Sequence, residues 1–257
     1  MLFELGGKRK RLIQVIYVCL AFLMAIALVG FGIGGATQGG IFDALGIGGD
    51  GGSSSPQYDA QIERAENTLQ TNPKDEKALI TLARTNFLAG QAATEQDAQG
   101  QVTLTDESLS RYRDATDAWE RYVKTNPQQV DDGVASLMLQ AYSALAGVDP
   151  ARVQQDLDEA QAAAQIVAEA RPSFGTYLQL ATYAYFAGDE KAGAEAEQKA
   201  LREAPDSTAK NQAKQQVKQA QKTGQSIQKG IKQSAPDQSQ LLDPLGGLSG
   251  TQTIPGG

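Results

Sequence analysis

Histidine is absent from this 257-residue chain, and cysteine occurs once, at Cys19. Without imidazole there can be no Ser-His-Asp or Cys-His nucleophile, no His-containing zinc site and no c-type haem attachment. A single thiol cannot form a disulfide within the chain. The sequence also holds no HExxH, no Gly-rich phosphate loop and no GxSxG. Acids are plentiful, so carboxylate chemistry is the enzymatic route left open, a pair of Asp or Glu being enough to hydrolyse a glycoside. Asp114, Asp117 and Glu120, at i, i+3 and i+6 of one helical stretch, are the best material for it. An acidic solvated face beside Trp119 accounts for the same residues more simply. The expectation is a non-catalytic protein with no cofactor and no metal.

Charge of one sign is missing from long stretches. Residues 12–34 carry no charge at all, and residues 207–236 hold six lysines and no acid. The formal net charge is −7, but residues 12–206 alone sum to −14. A body this acidic repels nucleic acid and anionic lipid, so neither is expected as a ligand of that surface.

The charge-free run follows directly on Lys8, Arg9, Lys10 and Arg11. At about 1.5 Å per helical residue, about 20 apolar residues cross a hydrocarbon core of roughly 30 Å, so residues 12–34 are long enough to span a bilayer. Basic residues beside a first span stay on the cytoplasmic side, which makes 1–11 a cytoplasmic segment and places everything beyond the span outside the cytoplasm. The same stretch also has the parts of a secretory signal, with Ala25 and Ala27 or Gly34-Gly35-Ala36 as cleavage sites, which would leave a secreted protein. Against a signal, the apolar run continues through Leu28, Val29, Phe31 and Ile33. Ile16-Tyr17-Val18 puts bulky residues where a bacterial lipobox has small ones, which argues against lipidation at Cys19. Gly30 and Gly34 form one GxxxG, a helix-packing motif or the fraying end of the span.

Residues 35–57 are dense in Gly and Ser and read as a flexible tether, interrupted by Ile41, Phe42, Leu45 and Ile47. From Tyr58 onward the composition is rich in Ala, Gln, Glu and Leu, without β-branched clusters, and predicts helix throughout, with no strand. Its punctuation alternates between Pro and Gly: Asn72-Pro73, Ala89-Gly90, Asn126-Pro127, Ala146-Gly147, Arg171-Pro172, Ala187-Gly188 and Ala204-Pro205. Proline stops a helix and glycine accepts the left-handed cap, so the alternation predicts a row of helix hairpins over 58–206.

In this pattern the chain resembles the tetratricopeptide repeat family. In the last copy, Tyr177, Leu180 and Ala181 stand at the helix A positions, Gly188 at the turn, Ala200 at the small helix B position and Pro205 at the close. Gly193 and Glu197 depart from the family's Ala and aromatic. An earlier copy has Leu79, Leu82, Ala83 and Gly90, then Ala115, Trp119 and Pro127, with Tyr122 in place of Ala and residues 91–110 inserted between its helices. A middle copy over 133–172 keeps Ala160 and Pro172. Residues 58–73 read as an unpaired first helix, and 207–234 as a closing helix opened by Asp206 or Ser207. Its Lys210, Lys214, Lys218 and Lys222 form a basic face, and Gly224 and Gly230 are expected to fray its end. That face reads as a solvated cap, with a grip on anionic headgroups, wall polymer or an acidic partner as the alternative. Residues 235–257 are expected to be a disordered tail.

The resemblance implies an all-α solenoid of about three degenerate repeats whose concave groove holds polypeptide. It places Lys77, Ile80, Arg84, Phe87 and Leu88 in that groove from the first copy, and Gly175, Leu178, Thr182, Tyr185 and Phe186 from the last. Ile80 and Arg84 stand where a carboxylate clamp has other residues, which argues for an apolar or unfolded segment as ligand. Ordinary packing between hairpins is the alternative for these side chains. One span followed by such repeats is similar to ancillary factors of bacterial secretion, so the expected partner is a protein or an exported polypeptide. A carboxylate hydrolase acting on envelope glycan and assembly driven by the transmembrane helix remain the other readings.

Overall fold

The computed structural model describes residues 55–96 and 102–234. The expected span, its basic flank, Gly30 and Gly34, the tether up to residue 54 and the tail lie outside them, while residues 55–57, expected in the tether, belong to the first helix. Among the described residues, no helix is long and apolar enough to cross a membrane.

The described chain is all-α, apart from one two-residue pairing. Its elements are α1 (Ser55–Thr71), α2 (Glu76–Ala92), β1 (Glu95–Gln96), β2 (Val102–Thr103), α3 (Asp106–Val123), α4 (Asp132–Leu145), α5 (Val153–Ala170), α6 (Phe174–Ala187), α7 (Glu190–Glu203) and α8 (Ser207–Ser234). Local chemistry starts most of the helices. A side-chain oxygen at the N-cap satisfies a backbone N–H that the first turn leaves without a partner. Asp75, Thr105, Asp131 and Asp189 do this for α2, α3, α4 and α7. Ser173 and Thr176 form a reciprocal capping box on α6, and Asp206 accepts from the Ala209 N–H at 2.8 Å to open α8. The stops fall at Pro73, Asn126-Pro127, Pro172 and Pro205, and at Gly188, whose φ of 86° is the left-handed cap of α6.

One expected stop is not a stop, and one expected fraying is not seen. α2 runs through Gly90 to Ala92, because Gly90 is a close-packing site: a β-carbon there would meet the Tyr112 ring at 2.8 Å. α8 likewise runs unbroken through Gly224 and Gly230. The expectation of no strand is also corrected. Residues 91–110 lengthen α2, begin α3 and contribute an antiparallel pairing of Glu95 with Thr103 and Gln96 with Val102. Thr105 Oγ1 donates to the Ala93 carbonyl at 2.8 Å and closes the base of this excursion.

Each helix packs on its neighbours in the chain, α1 on α2, α2 on α3, α4 on α5, α5 on α6 and α6 on α7. Two further contacts skip one helix, α2 with α4 and α6 with α8. The core runs through these layers, with Leu79, Phe87, Trp119, Tyr122, Met138, Leu139, Leu157, Phe186 and Val217 buried and many alanines between them. Each large apolar side chain contributes about 1.5–3 kcal/mol on burial, and alanine lets the helices approach closely. An aromatic pair joins α2 to α3, Phe87 with Tyr112 at 5.5 Å between centroids, and Trp119 and Tyr122 pair within α3 at 5.4 Å. Tyr122 also fixes the α3–α4 turn, its hydroxyl donating to the Gln129 carbonyl at 3.2 Å and accepting from the Asp131 N–H at 3.1 Å.

Candidate functional site

α6, Phe-Gly-Thr-Tyr-Leu-Gln-Leu-Ala-Thr-Tyr-Ala-Tyr-Phe-Ala, is apolar on nearly every side, and a helix of that kind can only be stable when covered all round. It is covered by α5, α7 and α8, and the consecutive residues Leu180 to Ala187 are all buried. Three of the expected groove residues therefore belong to the core. Thr182 turns inward and donates to the Leu178 carbonyl at 3.0 Å. Phe186 is fully buried and meets Tyr183 edge-on at 6.1 Å. Tyr185 is 6% exposed, with its hydroxyl 3.3 Å from Glu197.

The same holds at the other end. Phe87 and Leu88 are buried, in an α2 held between α1 and α3 and touching α4. These five side chains are taken up by packing between helices, with Tyr185 also bordering a concavity beneath α8. The accessible residues are Lys77 and Gly175, both exposed, with Ile80, Arg84 and Leu178 half-buried. Arg84 reaches Asp131 at 3.6 Å, so one expected contact residue already serves the α2–α4 junction.

The acids of α3 do not converge on a reaction centre. Glu120 is held by Lys124 at 3.2 Å. Asp114 and Asp117 lie exposed on the surface, and burial raises the Asp114 carboxyl, countered by Arg111 and reinforced by Asp117 and Glu66. The carboxylate that burial singles out is Asp156, which sequence reasoning missed. It is fully buried in α5 and pairs with Arg113 of α3 at 2.7 Å, while its Oδ2 has no hydrogen-bond partner. Nearby, the Tyr142 hydroxyl is buried without a partner; burial first, then Glu159, Glu120, Asp156 and Asp117, push its pKa upward. Burial and then Glu120 also raise the Glu159 carboxyl. Among the described residues, no group of three or more metal-capable side chains is placed to hold an ion.

A concavity of about 900 Å³ lies where α8 crosses the end of α6 and the start of α7, lined by Tyr185, Glu190, Gln221, Gln225, Gln228 and Lys232 among others. Gln228 ties its floor together, donating to the Phe186 carbonyl at 3.1 Å and to Gln154 at 2.9 Å. No sequence signal pointed to it, because it depends on how α8 crosses α6. On the outside of α8, Lys210, Lys214, Lys218 and Lys222 are all exposed.

No family model, curated protein or solved structure matches this chain.

Proposed function

We propose that this protein is a non-catalytic scaffold, anchored in a membrane by residues 12–34, whose tetratricopeptide-like helical domain works outside the cytoplasm and binds a polypeptide segment. The observation that carries the reading is the order of helix packing. Helix pairs packed on their neighbours, with α2 reaching α4 and α6 reaching α8, support a short solenoid in which one helix of each pair shares a side. Such a side offers an extended surface to an extended ligand, and Lys77, Ile80, Arg84 and Leu178 are the accessible residues that the family resemblance assigns to it. Half-buried Ile80 and Leu178 supply apolar contact, while Arg84 can exchange Asp131 for an acidic group of the ligand.

Photo-reactive groups at Ile80 and Leu178 of the full chain in native membranes test the reading, with captured proteins identified by mass spectrometry. A recurrent polypeptide captured at both positions is expected and would name the pathway. Capture at neither position, with efficient capture at a control position on the outer face of α5, would overturn it.

A further inference from the structure

α8 carries more charge of one sign than a cap needs. A helix closing a stack of hairpins requires only a polar outer face, and α8 already has Gln212, Gln215, Gln219 and Gln225 exposed for that purpose. It has in addition Lys210, Lys214, Lys218, Lys222, Lys229 and Lys232, all exposed, and no acid anywhere along its length. At about 100° per residue these six fall within an arc of about 120°, away from the arc of Ala213, Val217, Ala220, Gly224 and Ile227 that packs inward. They extend over about 33 Å of helix. Among the described residues, none of the six forms an ion pair. α5 is the reverse, with Asp158 and Glu169 exposed, Glu159 half-buried and no cation. The domain is thus electrically polarised, one basic rod on an acidic body.

We propose that the lysine face of α8 docks on the anionic surface of the bilayer that anchors the chain, laying the domain down with its acidic body turned away. The proposal rests on the reading of residues 12–34 as a span. Twenty residues, 35–54, separate that run from the first residue of α1. A Gly/Ser-rich tether of that length has a root-mean-square reach of about 25 Å. Screened attraction acts only within about 8–10 Å at physiological salt, so a free domain would rarely profit from it, whereas a tethered one is held at a high effective concentration beside the surface. The rod shape fits a plane: Lys210, Lys214, Lys218 and Lys222 can meet headgroups together, while Lys229 and Lys232 border the concavity beside Glu190, and repulsion of the acidic body fixes which side faces down.

The test uses the full chain carrying Cys19→Ser and Gln215→Cys, labelled with a donor fluorophore at 215 and reconstituted in vesicles bearing a headgroup-attached acceptor. Resistance to alkaline extraction first establishes the span. Energy transfer is then compared between phosphatidylglycerol-containing vesicles and pure phosphatidylcholine. We expect at least twofold higher transfer on the anionic vesicles, abolished by 0.5 M salt and by the combined changes Lys210→Gln, Lys214→Gln, Lys218→Gln and Lys222→Gln, and retained when the same four become Arg. Equal transfer on both lipids in an extraction-resistant chain overturns the proposal and leaves the lysine row to an acidic protein partner. Loss of the chain on extraction overturns the anchor reading instead, and docking then stands or falls on salt-sensitive flotation with anionic vesicles.

Discussion

Gly224 of α8 lies directly against the main-chain carbonyl of Tyr185 in α6, in the space that a β-carbon at 224 would occupy. Backbone meets backbone at this crossing, and neither element has a flexible side chain that can yield. Gly224→Ala therefore forces α8 off α6 and is expected to destabilise the domain by about 1–3 kcal/mol, the usual effect of overpacking. Gly175→Ala, where a β-carbon meets nothing within 4 Å, is expected to be neutral or to gain up to about 1 kcal/mol from helix propensity. Denaturant titrations of the two variants should diverge in sign or in size; equal midpoints would show that α8 does not sit on α6 in this way.

Arg113 and Asp156 join the first hairpin to the second from residues 43 positions apart. Removing one partner strands the other charge in the interior, which typically costs about 3–5 kcal/mol, while replacing both with apolar groups of similar volume is often neutral. Arg113→Met should be severely destabilising, and Arg113→Met with Asp156→Leu should recover most of the loss. A double variant as unstable as the single one would mean that the pair does more than satisfy itself.

Tyr142 presents the opposite case, a buried hydroxyl with no hydrogen-bond partner. A polar group left unsatisfied inside a protein is a burden, and deleting it without changing shape relieves that burden. Tyr142→Phe should leave the melting temperature unchanged or raise it. A fall of several degrees would reveal a partner for the hydroxyl.

Glu159 sets a pH dependence. Its folded-state pKa lies above the unfolded value, because burial and Glu120 disfavour the carboxylate. In the window above its ordinary value of 4.5, the folded state binds more protons than the unfolded one, so stability falls as pH rises through that window. Glu159→Gln removes the ionisation. The variant should melt higher than the parent at pH 7, with the difference vanishing below about pH 4. A constant difference across that range would mean that the carboxyl does not titrate in the way its surroundings dictate.

The parts of this fold that the sequence reveals are those decided within a few residues. Asp206 caps the helix that follows it, and Pro73, Pro172 and Pro205 bound the helices before them, because both effects act inside one turn. Gly188 was legible for the same reason. Gly90 and Gly224 were not, since what they accommodate, the Tyr112 ring and the Tyr185 carbonyl, comes from another helix. The candidate groove suffered most from this limit. The spacing of Tyr185 and Phe186 is compatible with either side of α6, and a helix apolar all round carries no marker of which side a neighbour will cover. Only the crossing of α8 decides it. Asp156 was equally invisible, an ordinary acid in an acidic stretch until Arg113 is placed beside it.

The covering of α6 has a consequence for how the molecule is made. α6 is the most apolar helix of the described chain, yet at 14 residues it spans only about 21 Å, too short to cross a bilayer. It is synthesised before α7 and α8, and α8, the last helix of the described residues, hides its last face. Until then the growing polypeptide carries an uncovered greasy segment, so this domain cannot reach its finished state hairpin by hairpin as it emerges. A released chain truncated before Ser207 should stick to chaperones, and one extending through Ser234 should not.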